Sequence, residues 1–303
     1  MEEQVVVAAA IDCGSNSTRL LISEVSDGKI KKLFKTHNVT KTSEGLDNTL
    51  IISKESKKRL FRTLKTYINE IEKFKVDQVL CIGTAVFRDA QNSEEIIEEV
   101  KRKFDLDLKV VSGEEEGQLT SVGVLSDSNI NDDFLIVDIG GRSTEFIYEE
   151  DKKINVISLN LGVVSISERF IKENSIEAND EESTIKFINN NLDFLGDLSN
   201  KSIIGVAGTF TSLASIFLGQ DKYDEEAIHL KSISLEWVES FYNKIKSMTE
   251  SEIIVTFSSL DPKRAKTLKS GVLLIICIMK KFKINELKVS KSDILEGLIL
   301  KNY

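Results

Sequence analysis

Apolar and polar positions along the chain follow two rhythms, which predict strands separated by helices. Short apolar runs, such as Val5 to Ile11 and Phe134 to Val137, are typical of buried strands. Between such runs, apolar residues recur every three or four positions, which predicts amphipathic helices. The predicted helices are roughly 54–75, one from a reciprocal Asn92/Glu95 cap to Phe104, one capped by Ser112, 179–198, 235–248, and a final helix burying Leu273, Ile276, Cys277 and Met279. This alternation predicts α/β architecture.

Two parts of the sequence repeat each other. Ala10-Ile-Asp-Cys-Gly-Ser-Asn-Ser-Thr18 and Ile136-Val-Asp-Ile-Gly-Gly-Arg-Ser-Thr144 share the pattern Asp-x-Gly-x-x-Ser-Thr, at an offset of 126 residues. A Gly-Thr pair follows each copy, Gly83-Thr84 and Gly208-Thr209, at an offset of 125 residues. We infer two duplicated halves, each opening with strand, glycine turn and strand, and each later placing a Gly-Thr at a strand end.

Composition excludes several classes of protein. Apolar residues make up 41% and charged residues 29%, which excludes a disordered or fibrous chain. The longest apolar run has nine residues, whereas a bilayer span needs about 20, and the N-terminus lacks a signal-peptide pattern. We therefore expect a cytoplasmic protein without a membrane partner. A net charge of −9 disfavours a nucleic-acid polymer as partner.

Cysteine and histidine content narrows the chemistry. The three cysteines lie far apart, which predicts reduced thiols, and Cys13 is assigned to packing. Only two histidines are present, so a histidine metal cluster or a Ser-His-Asp triad is not expected.

The repeated Asp-Gly turns are candidate anion sites. Glycine lets the backbone approach an anion with its N–H groups, and serine adds a hydroxyl donor. An aspartate at the strand end can hold Mg²⁺ directly or through water. An ordinary hairpin uses the same residue types, but two copies in matching contexts favour the functional interpretation.

Other polar clusters leave two interpretations open. The glutamates in Ser112-Gly-Glu-Glu-Glu-Gly117 either stabilise a helix N-terminus or include a general base, and spacing does not choose among the three. Arg88 either grips a phosphate or forms a surface ion pair. Two basic clusters are typical of solvated helix faces, or else guide a polyanion. They are Lys54/Lys57/Lys58/Arg59/Arg62 and Lys263/Arg264/Lys266/Lys269.

Taken together, the motifs resemble the exopolyphosphatase/guanosine pentaphosphate phosphohydrolase (Ppx/GppA) phosphatase family, within the actin, heat-shock chaperone and sugar-kinase superfamily. The resemblance covers essentially the whole chain. Its motifs are the two Asp-Gly turns, Gly83-Thr-Ala-Val-Phe-Arg88-Asp-Ala-Gln-Asn92, Val111-Ser-Gly-Glu-Glu-Glu-Gly117, Leu161-Gly162-Val-Val-Ser165 and Gly208-Thr209.

The resemblance implies an α/β fold of two duplicated ribonuclease-H-like domains around a central cleft. Domain I would span 1–125, with about 291–303 returning to it, and domain II would span 126–290. It also implies Mg²⁺-dependent hydrolysis (or use of another divalent cation such as Mn²⁺) of a terminal phosphoanhydride. Polyphosphate or a (p)ppGpp-type polyanion would be the substrate, and a homodimer is the implied assembly.

Roles for individual residues come from the same resemblance. Glu116 would be the base for the attacking water, with Arg88 and Glu145 also catalytic. Asp138 and Glu145 would bind the metal ion. Phosphate binding would fall to Asp12, Gly14, Ser15, Asn16, Ser17, Thr84, Gly140, Gly141, Arg142, Ser143, Gly208 and Thr209.

This chain departs from the family pattern at two site positions. Arg142 stands where the family usually has a third glycine, and Leu295 replaces an arginine, which predicts the loss of one anion contact. The sequence predicts an exopolyphosphatase. The alternatives are a guanosine pentaphosphate phosphohydrolase, an actin-like or sugar-kinase phosphotransferase, and a catalytically silent nucleotide-binding module.

Overall fold

The chain divides into two structural units. A computed structural model describes residues 5–126, 130, 133–171, 178–199 and 201–303. Unit 1 comprises Met1–Ser128 together with Ser292–Tyr303, and unit 2 comprises Asn129–Lys291. The segment after unit 2 therefore belongs to unit 1. Within the described residues, no helix has both the length and the apolar character needed to cross a membrane.

The strands of unit 1 are β1 (Val6–Cys13), β2 (Ser17–Ser26), β3 (Lys29–Val39), β4 (Gln78–Gly83) and β5 (Leu108–Val110). They form one sheet in the order β3-β2-β1-β4-β5, in which β1 pairs antiparallel with β2 and parallel with β4. Because β1 is central, it is covered on both faces, by one core containing Ala9 and Ile11 and another containing Ala8 and Ala10. Burial on both faces explains why its sequence is continuously apolar.

The helices of unit 1 are α1 (Leu46–Thr49), α2 (Lys54–Lys73), α3 (Ala85–Asp89), α4 (Ser93–Phe104), α5 (Gly113–Leu125) and, after the helices of unit 2, α13 (Ile294–Leu300). Helix α2 confirms the amphipathic prediction, because Leu60, Leu64 and Tyr67 lie on one face and are fully buried.

The predicted cap of α4 is wrong in its chemistry. Asn92 occupies the N-cap position without a side-chain cap hydrogen bond. Its side chain instead accepts a hydrogen bond from the Ile52 N–H at 2.9 Å and donates to the Ile52 carbonyl at 3.0 Å. Asn92 therefore fixes the preceding loop, a role that sequence spacing does not distinguish from capping.

Helices α5 and α13 cross at two glycines. A Cβ on Gly123 would clash with the backbone of Asp293, and one on Gly297 would clash with the carbonyl of Leu119. Only glycine permits this approach of two helix backbones. The crossing holds the N-terminus of α13 beside α5.

The strands of unit 2 are β6 (Phe134–Ile139), β7 (Thr144–Glu150), β8 (Lys153–Leu159), β9 (Ser202–Val206), β10 (Lys231–Ser234) and β11 (Glu286–Val289). Their order is β10-β11-β9-β6-β7-β8, with β6 antiparallel to β7 and parallel to β9. With β10 set aside, this matches the strand order and directions of unit 1. The predicted duplication is confirmed.

The helices of unit 2 are α6 (Val163–Phe170), α7 (Ala178–Leu192), α8 (Ala207–Phe217), α9 (Glu225–Ile228), α10 (Leu235–Ile245), α11 (Glu250–Thr256) and α12 (Ala265–Lys281). Two of them, α7 and α10, end a few residues before their predicted limits. Helix α12 is buried as predicted, but it is not final, because β11 and α13 follow it.

The second Gly-Thr is not at a strand end. Gly208 and Thr209 lie in the first turn of α8, two residues beyond β9. The sheets also align differently from the sequences, because Asp12 pairs with Ile82 and Asp138 pairs with Val206. Thr84 therefore corresponds in register to Gly208, one residue away from the sequence match.

Candidate functional site

In unit 1, the chain reverses between β1 and β2 through the turn Gly14–Ser17. The Gly14 N–H donates to the Ser17 carbonyl at 3.0 Å. A Cβ on Gly14 would lie 2.9 Å from that oxygen, closer than real Cβ contacts, so only glycine fits the turn as it stands.

The carbonyl groups of this turn are engaged by the loop after β3. The Lys41 N–H donates to the Asn16 carbonyl at 2.9 Å, and the Ser43 N–H donates to the Ser15 carbonyl at 3.0 Å. The N–H groups of Ser15 and Asn16 have no acceptor among the described residues. With its carbonyls occupied and its amides available, the turn is suited to bind an anion.

Asp12, beside this turn, is held by Arg19, its partner across β1 and β2. Two guanidinium nitrogens of Arg19, Nε and Nη2, donate to Asp12 Oδ2 at 2.9 and 2.7 Å. The third, Nη1, donates to Asp293, the N-cap of α13. One arginine thus joins two buried carboxylates from opposite ends of the chain.

Burial and charge set the acidity of these carboxylates differently. Burial raises the pKa of Asp12, although Arg19 acts in the opposite direction. Burial also acts to raise the pKa of Asp293, but Arg19, Lys35 and the Leu295 N–H together lower it below its ordinary value. Asp293 is accordingly the better stabilised anion.

Arg88 and Glu116 meet in an ion pair. Arg88 Nη1 donates to Glu116 Oε2 at 2.8 Å and to the Val111 carbonyl at 2.9 Å. Thr84, the N-cap of α3, donates its N–H to the Cys13 carbonyl at 3.4 Å, which places it next to the Gly14 turn. The structure therefore joins two residues that the sequence could only consider separately.

The structure also distinguishes the three glutamates of α5. Glu115 closes a capping box with Ser112, whose N–H donates to its carboxylate at 2.9 Å and lowers its pKa. Glu114 is exposed and lies 3.3 Å from Gln118 Nε2. Glu116 is buried. Of the three, Glu116 alone combines burial with a cationic partner in the described residues.

In unit 2, the turn Gly140–Ser143 repeats the geometry. The Gly140 N–H donates to the Ser143 carbonyl at 2.9 Å, and a Cβ on Gly140 would lie 3.1 Å from that oxygen. The carbonyls of Gly140 and Gly141 accept N–H groups from Val163 and Val164, at 3.1 and 2.8 Å. Here the start of α6 occupies the carbonyls, as the loop after β3 does in unit 1.

Gly162 is required by this contact. A Cβ there would clash with the backbone of Gly141 and Arg142, so the Leu161-Gly162 motif lets the two segments pack together. Arg142 itself is half-buried. The prediction for the other departure is wrong, because Leu295 is fully buried in a hydrophobic core and does not occupy an anion-contact position.

Asp138 and Glu145 are partners across β6 and β7, and both are buried. Glu145 accepts a hydrogen bond from the Ser158 hydroxyl at 2.7 Å. Two carboxylates side by side repel each other unless a cation lies between or beside them. Their position in the sheet is that of Asp12 and Arg19 in unit 1.

These residues fit a hard divalent cation. Mg²⁺ is usually held by one or two carboxylates, and water and substrate phosphates complete its shell. The described residues contain no cluster of three histidine, cysteine, aspartate or glutamate side chains that could hold a metal ion. Two adjacent carboxylates match the Mg²⁺ mode rather than a closed protein cage.

Gly208 has a neighbour that sequence reasoning did not single out. The guanidinium group of Arg264 lies directly against Gly208, so a Cβ at that position would clash with it. Ala207, just before it, has φ of 64°, a left-handed conformation costing a non-glycine residue roughly 1–2 kcal/mol. The only sequence signal for Arg264 was its place in a basic cluster.

The basic clusters are not uniform solvated faces. Lys269 is buried and donates to the Met248 carbonyl. Arg59 donates to the Thr40 and Lys41 carbonyls, so it braces the loop that supports the Gly14 turn. Cys13 is buried beside Cys81, where packing raises its pKa, in agreement with an inert thiol.

Comparison with known proteins identifies relatives. The model of the Ppx/GppA phosphatase family matches residues 21–303. The chain is 33% identical over 308 residues to a bifunctional 3-dehydroquinate synthase/phosphatase of Fusobacterium nucleatum, covering 96% of this chain and 46% of that protein. It is 28% identical over 297 residues to a guanosine-5'-triphosphate,3'-diphosphate pyrophosphatase of Pseudoalteromonas atlantica, covering 96% and 57%.

A solved structure supports the fold at comparable similarity. The Ppx/GppA enzyme of Aquifex aeolicus superposes with a TM-score of 0.83 at 27% identity, covering 98% of this chain and 100% of that one. This chain spans about half the length of the curated relatives it matches.

Proposed function

The chain belongs to the Ppx/GppA phosphatase family, and from this premise we propose that it hydrolyses the terminal phosphoanhydride of inorganic polyphosphate and releases orthophosphate. The observation that carries the proposal is the repeated turn. In both units a glycine turn has its carbonyls occupied by neighbouring amides, which leaves donors for phosphate oxygens. Repetition of the arrangement argues against an incidental hairpin.

Phosphate contacts are assigned to the two turns and the residues beside them. In unit 1 these are Gly14–Ser17 and Thr84, with Asp12 holding the strand end. In unit 2 they are Gly140–Ser143, Gly208 and Thr209, to which the structure adds Arg264. Backbone amides and a guanidinium group suit phosphate because they neutralise charge without a proton transfer.

The metal role falls to Asp138 and Glu145. They would hold Mg²⁺, or another divalent cation such as Mn²⁺. When bound, the cation neutralises charge on the phosphoryl group being transferred.

Glu116 is assigned the role of general base. A water oxygen attacks the terminal phosphorus in line with the bridging oxygen, and Glu116 accepts the proton of that water. The bond from phosphorus to the bridging oxygen breaks, and the shortened chain leaves with the electron pair. The products are orthophosphate and a polyphosphate one unit shorter.

Guanosine pentaphosphate is the second candidate substrate. Relatives at 28% identity carry the name guanosine-5'-triphosphate,3'-diphosphate pyrophosphatase. Removing its 5′-terminal phosphate is the same reaction on a different leaving group. Family membership favours either hydrolysis over a phosphotransferase or a silent module.

Phosphate release tests the proposal directly. Purified protein would be assayed with polyphosphates of several lengths, guanosine pentaphosphate and ATP, with and without Mg²⁺. Glu116→Gln should lower kcat by at least ~10²-fold while substrate binding is retained, because loss of a general base has that effect. The matched control is Glu114→Gln on the exposed side of α5, which should leave kcat within about twofold.

Two outcomes would count against the assignment. Wild-type turnover in Glu116→Gln would reject the base, and release that requires a sugar acceptor would indicate a kinase. A preference for guanosine pentaphosphate would exchange the first substrate for the second and leave the chemistry unchanged.

A further inference from the structure

Arg88 is placed against Glu116 by two rigid elements. Gly83 ends β4, and a Cβ there would lie 2.7 Å from the Phe87 ring, so α3 packs tightly onto the strand that it follows. The capping box of Ser112 and Glu115 fixes the first turn of α5. The Val111 N–H donates to the Gly83 carbonyl at 3.0 Å, which ties the two segments together.

The ion pair that results is largely withdrawn from water. The Arg88 and Glu116 side chains are 23% and 11% exposed. One nitrogen of Arg88, Nη1, contacts both the Glu116 carboxylate and the Val111 carbonyl. The second contact fixes the guanidinium group to the backbone, so it orients the carboxylate as well as neutralising it.

We propose that Arg88 is a positioning residue that keeps Glu116 ionised and aimed, and that it is not primarily a phosphate ligand. This inference rests on the proposed function, in which Glu116 accepts the proton of the attacking water. It differs from the phosphate grip that the resemblance implies for Arg88.

The physical reason is the cost of a buried carboxylate. A carboxylate removed from water takes up a proton unless a cation stabilises its charge, and a protonated Glu116 cannot act as a base. Arg88 supplies that cation from within the same unit, before any substrate is bound. Its second contact, to Val111, prevents the pair from turning away together.

The test is a double-mutant cycle on phosphate release with Mg²⁺, using the substrate on which the wild type is active. Arg88→Ala should lower kcat by about 10–10²-fold and leave KM within about twofold. Arg88→Lys should recover most of kcat, because an ammonium group still pairs with Glu116. In the Glu116→Gln background, Arg88→Ala should change kcat by less than about twofold, since the two residues act as one unit.

Other results would overturn the inference. A tenfold or greater rise in KM at unchanged kcat would make Arg88 a phosphate ligand. Full additivity of the two substitutions would show that it acts independently of Glu116. Arg102→Ala, an exposed arginine on α4, is the control and should match the wild type.

Folding and the base assignment are tested separately. Should Arg88→Ala fail to fold, the cycle is run with Arg88→Lys and Arg88→Gln, where a kcat recovered by lysine and not by glutamine supports the proposal. Equal kcat in the two variants contradicts it. Wild-type turnover in Glu116→Gln alone would instead refute the proposed function.

Discussion

The two glycine turns share a backbone and differ in one charge. Each follows a buried strand that ends in aspartate, and each has its carbonyls engaged by neighbouring amides. At the position paired with that aspartate, unit 1 has Arg19 and unit 2 has Glu145. In unit 1 the aspartate has an internal cation, whereas in unit 2 it has a second anion.

This difference separates what the fold determines from what a side chain determines. The duplicated sheet sets where the aspartate lies in both units. One residue across the strand then decides whether its charge is balanced within the chain or by a cation from solution. On this account the protein takes up its catalytic metal ion in unit 2, and unit 1 has the equivalent position filled by a guanidinium group.

The comparison breaks most severely if Arg19 is removed. Arg19→Met leaves Asp12 and Asp293 as buried carboxylates without their shared cation, and this should cost about 3–5 kcal/mol of unfolding free energy. Urea denaturation at neutral pH measures it. Arg62→Met, an exposed arginine on α2, is the control. A loss below about 1 kcal/mol would mean that the pair does not hold unit 1 together.

Glu145→Arg tests the comparison from the other side. It gives unit 2 the charge pattern of unit 1, and the new guanidinium group should exclude the divalent cation. We expect kcat to fall by at least about 10²-fold, because charge stabilisation in the transition state is lost. Calorimetric titration with Mn²⁺ should show metal binding abolished. Glu150→Arg, at the exposed end of the same strand, controls for added charge; normal Mn²⁺ binding in Glu145→Arg would contradict the metal role.

The smallest effect concerns acidity within unit 1. Since the pKa of Asp293 is lowered on folding, its contribution to stability is present above about pH 4 and is lost as pH falls through the folded value. Asp12 has a raised pKa, so its contribution is present at low pH and is lost as pH rises. Urea midpoints against pH should therefore show a shallower acid loss in Asp293→Asn. Asp12→Asn should instead flatten the loss above about pH 4, and identical slopes in both variants would contradict the opposite shifts.

Local chemistry was predictable from the sequence, and long-range pairing was not. The two turns depend on residues within four positions of one another, so Gly14 and Gly140 are visible as motifs. The amphipathic helix α2 and the capping box at Ser112 are local in the same way. Arg19, by contrast, reads as an ordinary strand residue, because its second partner, Asp293, is supplied by the far end of the chain.

The misassignments have the same origin. Asn92 has the spacing of a helix cap, but its side chain is used by Ile52, which lies 40 residues earlier. Arg264 contacts Gly208 only because the start of α12 is folded against α8. Leu295 was compared with an arginine of the family, yet the local sequence does not reveal that α13 turns this position into a core.

The crossing of α5 and α13 at Gly123 and Gly297 has a consequence for synthesis. The ribosome must make all of unit 2, from Asn129 to Lys291, before the helix that completes unit 1 exists. At about 5–20 residues per second, that interval lasts roughly 8–30 s. During it, the nascent first segment carries Arg19 without Asp293 and a bare helix groove at Gly123. Unit 2 is thus translated in full while its older neighbour is still waiting for its last helix.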